Sequence, residues 1–347
     1  MEYRNVSYAF IDAVKKVEKC GKIIFPRGFK SKELIAQKLT VYHPKERVVI
    51  IPYRYNNIFA SIAETIWVLG GRNDLFYLEH YLPRARDFSD DQKTWRGAYG
   101  PRLRNWRGVD QIKEVYKILR QEDSKRAVIS LFDPFLDYTD SKDIPCNNWL
   151  QFLKRDNKLF LNVTVRANDL FWGFSGINSF EWSVLQEMMS FWTNTQTADL
   201  TFFIGSLHFY ERHFKYIDNM LSSFSNKTIY EYGFPSLKFS TPLKDFDEVL
   251  LYWFKLENEI RIYGQEVFKD TENLKDDFLR SSLQMLIIYN EFLNSASEAK
   301  IKKLISNLPK SDFKIAAMEF FYRKYKDISF LSIEKEEEQC LKYILNI

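Results

Sequence analysis

The feature that most restricts the fold is a change of texture about two-thirds of the way along the chain. Up to residue 238 or so, short β-branched and aromatic runs alternate with stretches whose apolar residues recur at helical spacing. Beyond it, only the helical spacing persists. Residues 48–53, 127–132, 158–165 and 200–204 read as strands, each flanked by polar residues or proline. Ile58, Ile62, Ile66 and Leu69 form one helical stripe, and Phe180, Val184, Met188 and Phe191 form another. Strands interleaved with helices predict an α/β (α+β) core. Residues 246–262, 274–293, 298–308 and 312–325 read as helices. The predicted organisation is therefore a core at 1–238 and a mainly helical C-terminal extension at 239–347, with Pro235 and Pro242 bracketing the junction. The chain carries neither an internal repeat nor a low-complexity tract.

Aromatic residues make up 17% of the chain, enough apolar material for a substantial core. Fifty Lys and Arg against 46 Asp and Glu leave a net charge of +4 with no basic block, so a nucleic-acid polymer is not an expected partner. The acidic run at 334–338 reads as a solvated helix face. Cys20, Cys146 and Cys340 are widely spaced, which argues against a disulfide framework and a zinc site. The four histidines show no ligand spacing, so no metal is expected. Without a signal-like N-terminus or an 18-residue apolar run, the expectation is a soluble cytoplasmic protein with no membrane partner.

Cys146 directly follows Pro145 in a loop between strand-like segments, a setting that suits either a nucleophile or an inert buried thiol. Arg27 in a turn, Lys125 and Arg126 before a strand, and Arg166 after one are suited to a phosphate monoester. Singly, each better fits a surface ion pair; their combination with Cys146 is the informative part. Glu64 lies beside an apolar helical stripe, and its spacing favours the solvent edge over a cavity. His208 and Tyr210 alternate along a strand and so share a face, where they could meet a sugar hydroxyl.

Taken in order, Glu64, Tyr99-Gly100, Asp123-Ser124-Lys125-Arg126, Pro145-Cys146, Gln151-Phe152, Arg166-Ala167-Asn168-Asp169, Gly173, Asn178 and His208-Phe209-Tyr210 form a pattern. It resembles the thymidylate synthase superfamily, which includes the pyrimidine nucleotide hydroxymethylases, from about Arg27 to His213. The resemblance implies a core with a large mixed sheet, a homodimer, a pyrimidine nucleoside monophosphate as substrate and 5,10-methylenetetrahydrofolate as cofactor. It implies that Cys146 adds to C6 of the base, and that Arg166 and Arg27 bind the 5′-phosphate in cis. Lys125 and Arg126 would arrive from the partner chain. By the same carry-over, His208 and Tyr210 bond the ribose hydroxyl, and Glu64 and Tyr99 serve the base and the C5 proton. Asn178 reads the base, while Asp169 receives the pterin ring with Gly173 in the same cofactor site.

The departures bear on the last step of the reaction. Lys125 stands for the usual Arg, Ala167 for a Ser and Asn147 for a His. No Trp lies between Trp67 and Trp95, where methylating members place one against the cofactor, and the chain ends at Ile347 after a long helical stretch. Hydride transfer needs a stacked cofactor and excluded water, so these losses favour hydroxymethylation over methylation. Reductive methylation of dUMP and a non-catalytic nucleotide-binding role remain the alternatives. The choice between uracil and cytosine, and between ribose and deoxyribose, stays open.

Overall fold

The structure is a computed structural model that describes residues 1–121 and 123–347. Its contacts divide the chain into two compact units, Met1–Lys45 with Ala63–Lys215, and Glu46–Ile62 with Tyr216–Ile347.

The first unit is built on one mixed sheet. Its strands are β1 (Glu2–Tyr3), β2 (Lys22–Ile24), β3 (Ser31–Val41), β4 (Val128–Ser130), β5 (Asn147–Arg155), β6 (Lys158–Asp169) and β7 (Gln196–Tyr210). They run in the order β1-β3-β7-β6-β5-β4, with β2 also on β3; β1–β3 and β6–β7 are parallel and the other pairs antiparallel. Register explains the two faces. Leu39, Phe202, Val163, Leu150 and Ile129 lie side by side across the sheet, and all are buried. The next row, Lys38, Phe203, Thr164, Trp149 and Ser130, points the other way and is exposed or half-buried. One face is therefore core and the other is left uncovered within the chain.

A line of irregularity crosses this sheet. The pairs Ile35–Ser206 and Gln37–Ile204 flank Ala36 and Gly205, while Val165–Ile204 and Ala167–Ser206 flank Gly205 and Arg166. Ala36 is left-handed at φ 52°, and the β5–β6 register shifts between Asn147 and Trp149. Gly205 is required there, because a Cβ would lie 2.7 Å from the Arg166 carbonyl oxygen. Bulges of this kind re-aim side chains next to functional sites.

The helix Ser179–Thr193 is buried on almost every side, and the π-helical stretch Leu170–Asn178 runs directly into it. Phe180, Val184 and Met188 are in the core as their spacing predicts, whereas Phe191 is exposed. Gln186, off the stripe, is buried too, its amide donating to the carbonyls of Leu159 (2.9 Å) and Ala198 (3.1 Å). The helix Ile58–Leu69 matches its predicted bounds.

The second unit is helical wherever regular beyond residue 238: Leu243–Tyr263, Asp277–Leu293, Glu298–Ser306, Asp312–Tyr325 and Lys335–Leu345. The segment 48–53, expected as a strand, is not one. Val48, Val49, Ile50 and Ile51 are buried without a ladder, and the Val48 N–H donates to the Tyr230 hydroxyl (2.9 Å). Its apolar run answers to packing within a helical unit. Phe59 belongs to the same core, stacked on Tyr289 at 4.9 Å and edge-on to Phe320. The acidic run is only partly solvated: Glu336 and Glu338 pair with Lys310 and Lys342, but Glu337 is buried facing Lys314 (3.8 Å).

Substituting Gly205→Ala forces the Arg166 carbonyl aside. The expected cost is about 1–3 kcal/mol, read as a lower urea midpoint at unchanged slope. An unchanged midpoint would show that the sheet absorbs the methyl group at this crossing.

Candidate active site

Cys146 ends the loop before β5, half-buried, and its carbonyl accepts the Arg166 N–H of β6 (2.9 Å). This register sets the Cys146 thiol, just before β5, beside the Arg166 guanidinium of β6. The Arg166 side chain donates Nε to the Pro145 carbonyl (2.9 Å) and Nη2 to the Ile144 carbonyl (2.8 Å), with Nη2 also 3.5 Å from the Cys146 Sγ. Burial pushes the thiol pKa up; Arg166 pulls it down, Asp143 raises it and Arg27 lowers it, for a net rise. The charge of Arg166 lowers the thiol pKa but does not outweigh desolvation.

Beside the thiol lies a hydrogen-bonded floor. Tyr99 opens the helix Tyr99–Arg104, and its hydroxyl accepts the Asn147 backbone N–H (3.1 Å) and side-chain Nδ2 (2.7 Å). The Trp182 indole donates to Asn147 Oδ1 (3.1 Å), and its ring meets Tyr99 at 5.4 Å. Asn147, fully buried, thus spends its backbone N–H and both side-chain amide atoms on Tyr99 and Trp182. Burial raises the Tyr99 phenol well above its ordinary range, with the Cys146 charge adding to it.

Glu64 corrects an expectation. It is 7% exposed rather than at the solvent edge, because the helix that carries it is buried on more than its apolar stripe. Its Oε2 has no hydrogen-bond partner, and burial, with the Asp143 charge behind it, raises its pKa to about 8. Asp143 itself accepts the Gly97 N–H (2.9 Å). Asn178 is buried at the start of the helix Ser179–Thr193, and Gly173 lies beside it, where a Cβ would stand 2.1 Å from Asn168 Oδ1 and 3.3 Å from Asn178 Oδ1. Asn168 is buried with both amide atoms unpartnered.

His208 and Tyr210 share a face of β7, their rings 5.2 Å apart and edge-on. His208 Nδ1 lies 3.3 Å from the Ser206 hydroxyl. Tyr210 is raised by burial and by Asp169, with smaller effects from Arg212, Cys146 and Arg27 that place it in the same electrostatic neighbourhood. Arg27 is exposed in the turn Pro26–Gly28, left-handed at φ 50°. Asp169 accepts the Phe171 N–H (2.9 Å) and pairs with Arg212 (3.2 Å), whose guanidinium sits 4.6 Å over the Tyr210 ring. Lys125 and Arg126 do not join this group in the same chain. The Lys125 carbonyl accepts from Gln151, five residues along β5 from Cys146, roughly 17 Å at about 3.4 Å per residue.

Trp182, Glu181, Asp143 and Arg212 were not singled out from the sequence as part of the site, and Asn147 was read only as standing for a His. Glu181 lies three residues after Asn178, in a helix that also carries Gln186 and Glu187, so its type alone did not mark it. Among the described residues no three His, Cys, Asp or Glu side chains converge as a metal site, and no helix is long and apolar enough to cross a membrane.

Three phage proteins named deoxyuridylate hydroxymethyltransferase are similar to this chain. That of Bacillus phage SP01 is 27% identical, with 96% of each chain covered. Those of Delftia phage PhiW-14 and Pseudomonas phage M6 are each 28% identical, covering 83% and 82% of this chain and 86% and 83% of their own. Residues 8–260, well over half of the sequence, match thymidylate synthase. With the mixed sheet and the Cys146–Arg166 register behind it, the chain belongs to the thymidylate synthase family.

Proposed function

We propose that this chain adds a hydroxymethyl group to C5 of a pyrimidine nucleoside monophosphate, with deoxyuridylate as the nucleotide. The observation that carries the reading is the Cys146 thiol set against Arg166 beside the buried Glu64 and the Tyr99–Asn147–Trp182 floor. The hydroxymethyltransferase relatives support it over reductive methylation.

In this reading the Cys146 thiolate, stabilised by Arg166, forms a bond to C6, and the C5–C6 electron pair moves onto C5 and O4. Arg166 and Arg27 bind the 5′-phosphate, His208 and Tyr210 the sugar hydroxyl, and Asn178 the base edge. The unpartnered Asn168 amide beside the Gly173 cradle fits a flat ring with hydrogen-bonding edges, so Asp169 and Gly173 would hold the pterin. When bound, 5,10-methylenetetrahydrofolate would supply the methylene carbon to C5 and depart as tetrahydrofolate as the C5 proton is lost. Glu64 and Tyr99 move protons at C5 and O4; water adds to the C5 methylene, and Cys146 leaves as thiolate. A second copy of this chain, laid on the uncovered sheet face that carries Phe203 and Trp149, would bring Lys125 and Arg126 to the phosphate. Catalysis is assigned to residues 1–238 in the cytoplasm, with 239–347 as a helical extension.

Mass spectrometry after incubation with 5,10-methylenetetrahydrofolate and, separately, dUMP, dCMP, UMP and CMP should show a hydroxymethyl gain on dUMP. Cys146→Ala should lower that turnover by on the order of 10⁴-fold or more while nucleotide affinity persists. A methyl product would overturn hydroxymethylation, and no change to any nucleotide would overturn the enzyme reading.

Glu64 also makes a stability prediction. Its folded pKa of about 8 lies above the ordinary value of 4.5, so the folded state holds the proton more tightly between the two. The stability this confers is full below the lower value and is lost as pH rises through about 8. Glu64→Gln should therefore gain in melting temperature relative to the parent as pH rises through that window. Parallel melting curves at both ends of the window would contradict the buried, neutral state.

A further inference from the structure

We propose that Glu33 is a positioning residue for His208: through the Ser206 hydroxyl it fixes the neutral imidazole with its proton on Nδ1, so that Nε2 is left to accept from the nucleotide's C3′ hydroxyl. The proposal rests on the reading that His208 meets the sugar hydroxyl, and it names the group that decides which of the two donates. With its 5′-oxygen esterified, deoxyuridylate has one sugar hydroxyl left, the one at C3′.

The placement comes from the sheet. Glu33 of β3 and His208 of β7 are paired directly across the antiparallel ladder, and two residues along Ile35 is paired with Ser206. Paired residues share a face, as do alternate residues of one strand, so Glu33, Ser206 and His208 stand together. The contacts agree with the register. The Ser206 hydroxyl donates to Glu33 Oε1, and its Oγ lies 3.3 Å from His208 Nδ1. The Ser206 carbonyl lies 3.4 Å from the same nitrogen. His208 is buried, while Glu33 and Ser206 are half-buried. Among the described residues Glu33 is in no ion pair, so charge neutralisation does not account for its place in this row.

The tautomer follows from where the protons can go. A carboxylate only accepts, so the single hydroxyl proton of Ser206 is committed to Glu33. The lone pairs left on Oγ, like the backbone carbonyl beside them, need a donor, and the ring supplies one only with its hydrogen on Nδ1. Among the described residues Nε2 has no hydrogen-bond partner, which leaves that end of the ring for the substrate. The other polar neighbours do not compete for Nδ1. Asp169, paired with His208 from β6, is held by the Phe171 N–H (2.9 Å) and by Arg212 (3.2 Å), and Tyr210 meets the ring edge-on at 5.2 Å. An unprotonated Nε2 favours a nucleotide that donates at C3′ over one that only accepts there. Without the Glu33 carboxylate the Ser206 proton is free to turn to Nδ1, the ring proton can move to Nε2, and this preference fades.

The test uses Glu33→Leu, which removes the acceptor of the Ser206 proton, and two readouts that need no turnover. One is nitrogen NMR of the histidine rings at a pH where His208 is neutral, with His208→Gln to assign its signals. The other is calorimetric affinity for dUMP and for its analogue with fluorine in place of the C3′ hydroxyl, a group that cannot donate. In the parent the proton should sit on Nδ1, and the fluorinated analogue should bind about tenfold or more weaker than dUMP. Glu33→Leu should mix the Nε2-protonated form into the spectrum and bring the two affinities to within about threefold. In a Ser206→Ala background Glu33→Leu should change neither readout, since the carboxylate reaches the ring only through that hydroxyl. A parent His208 protonated on Nε2 overturns the proposal whether or not the variant folds, and so does a Glu33→Leu protein with the tautomer of the parent. Because the spectra are taken without nucleotide, a parent with the proton on Nδ1 but equal affinity for the two nucleotides would count against the sugar contact assigned to His208 and not against the setting of its tautomer by Glu33.

Discussion

At one point in the sheet a carbonyl oxygen occupies the space that a side chain would need. Gly205 of β7 meets the Arg166 carbonyl of β6 there, and Ala36 of β3 turns left-handed on the same line. The β3–β7 and β6–β7 ladders pair again on either side of this line. Arg166 leaves that line with its side chain over the loop carbonyls of Ile144 and Pro145, and its N–H holds the Cys146 carbonyl. Thiol, cation and loop are thus fixed through backbone groups, which side-chain exchange elsewhere cannot easily disturb.

Around that line the electrostatics separate into two zones. Arg27, Arg166 and Arg212 gather near Cys146, Tyr210 and Asp169, on exposed or half-exposed positions where an anion can approach. Glu64 and Glu181 lie in the buried zone, where neither is in an ion pair among the described residues and desolvation favours the neutral acids. The first zone suits binding of a phosphate ester and support of a thiolate. The second suits proton movement at a heterocycle, since a carboxyl whose pKa is raised to about 8, as for Glu64, is populated in both forms near neutral pH.

Much of this was legible in the sequence, and the failures have physical causes. The strands at 158–165 and 200–204 and five long helices were readable because their periodicity coincides with one-sided burial. β3 was not, because its sequence is polar and half-exposed and its ladder partners lie far away in β7. The segment 48–53 was misread, since a short apolar run looks alike whether it meets a neighbouring strand or helices. Cys146 and Arg166 announced themselves by type and by order along the chain. Glu64 and Glu181 did not, because stripe arguments assign every off-stripe carboxylate to solvent, and these helices are buried well beyond their stripes. The roles of the site residues follow from resemblance; their arrangement required three dimensions.

The same arrangement bears on why water, rather than a hydride, would finish the reaction. Trp95 cannot easily serve as a sliding shield: its indole is tied to the Ala85 carbonyl (2.7 Å), and its ring is wedged edge-on against Trp67 (5.7 Å) and Phe88 (6.1 Å). Asn147, standing where a histidine is usual, is consumed in holding Tyr99 and Trp182. In the second unit the chain end is folded onto its own helix, with the Ile347 N–H on the Lys342 carbonyl (3.1 Å) and the Asn346 amide on the Ser223 carbonyl (2.7 Å). What the site offers in exchange is polar: buried carboxyls and an unpartnered Asn168 amide, groups that gain from a water molecule. A pocket that excludes water to protect a hydride would be built from apolar walls; one that must hold water for attack is better built from unsatisfied polar atoms, and those are the atoms this chain buries.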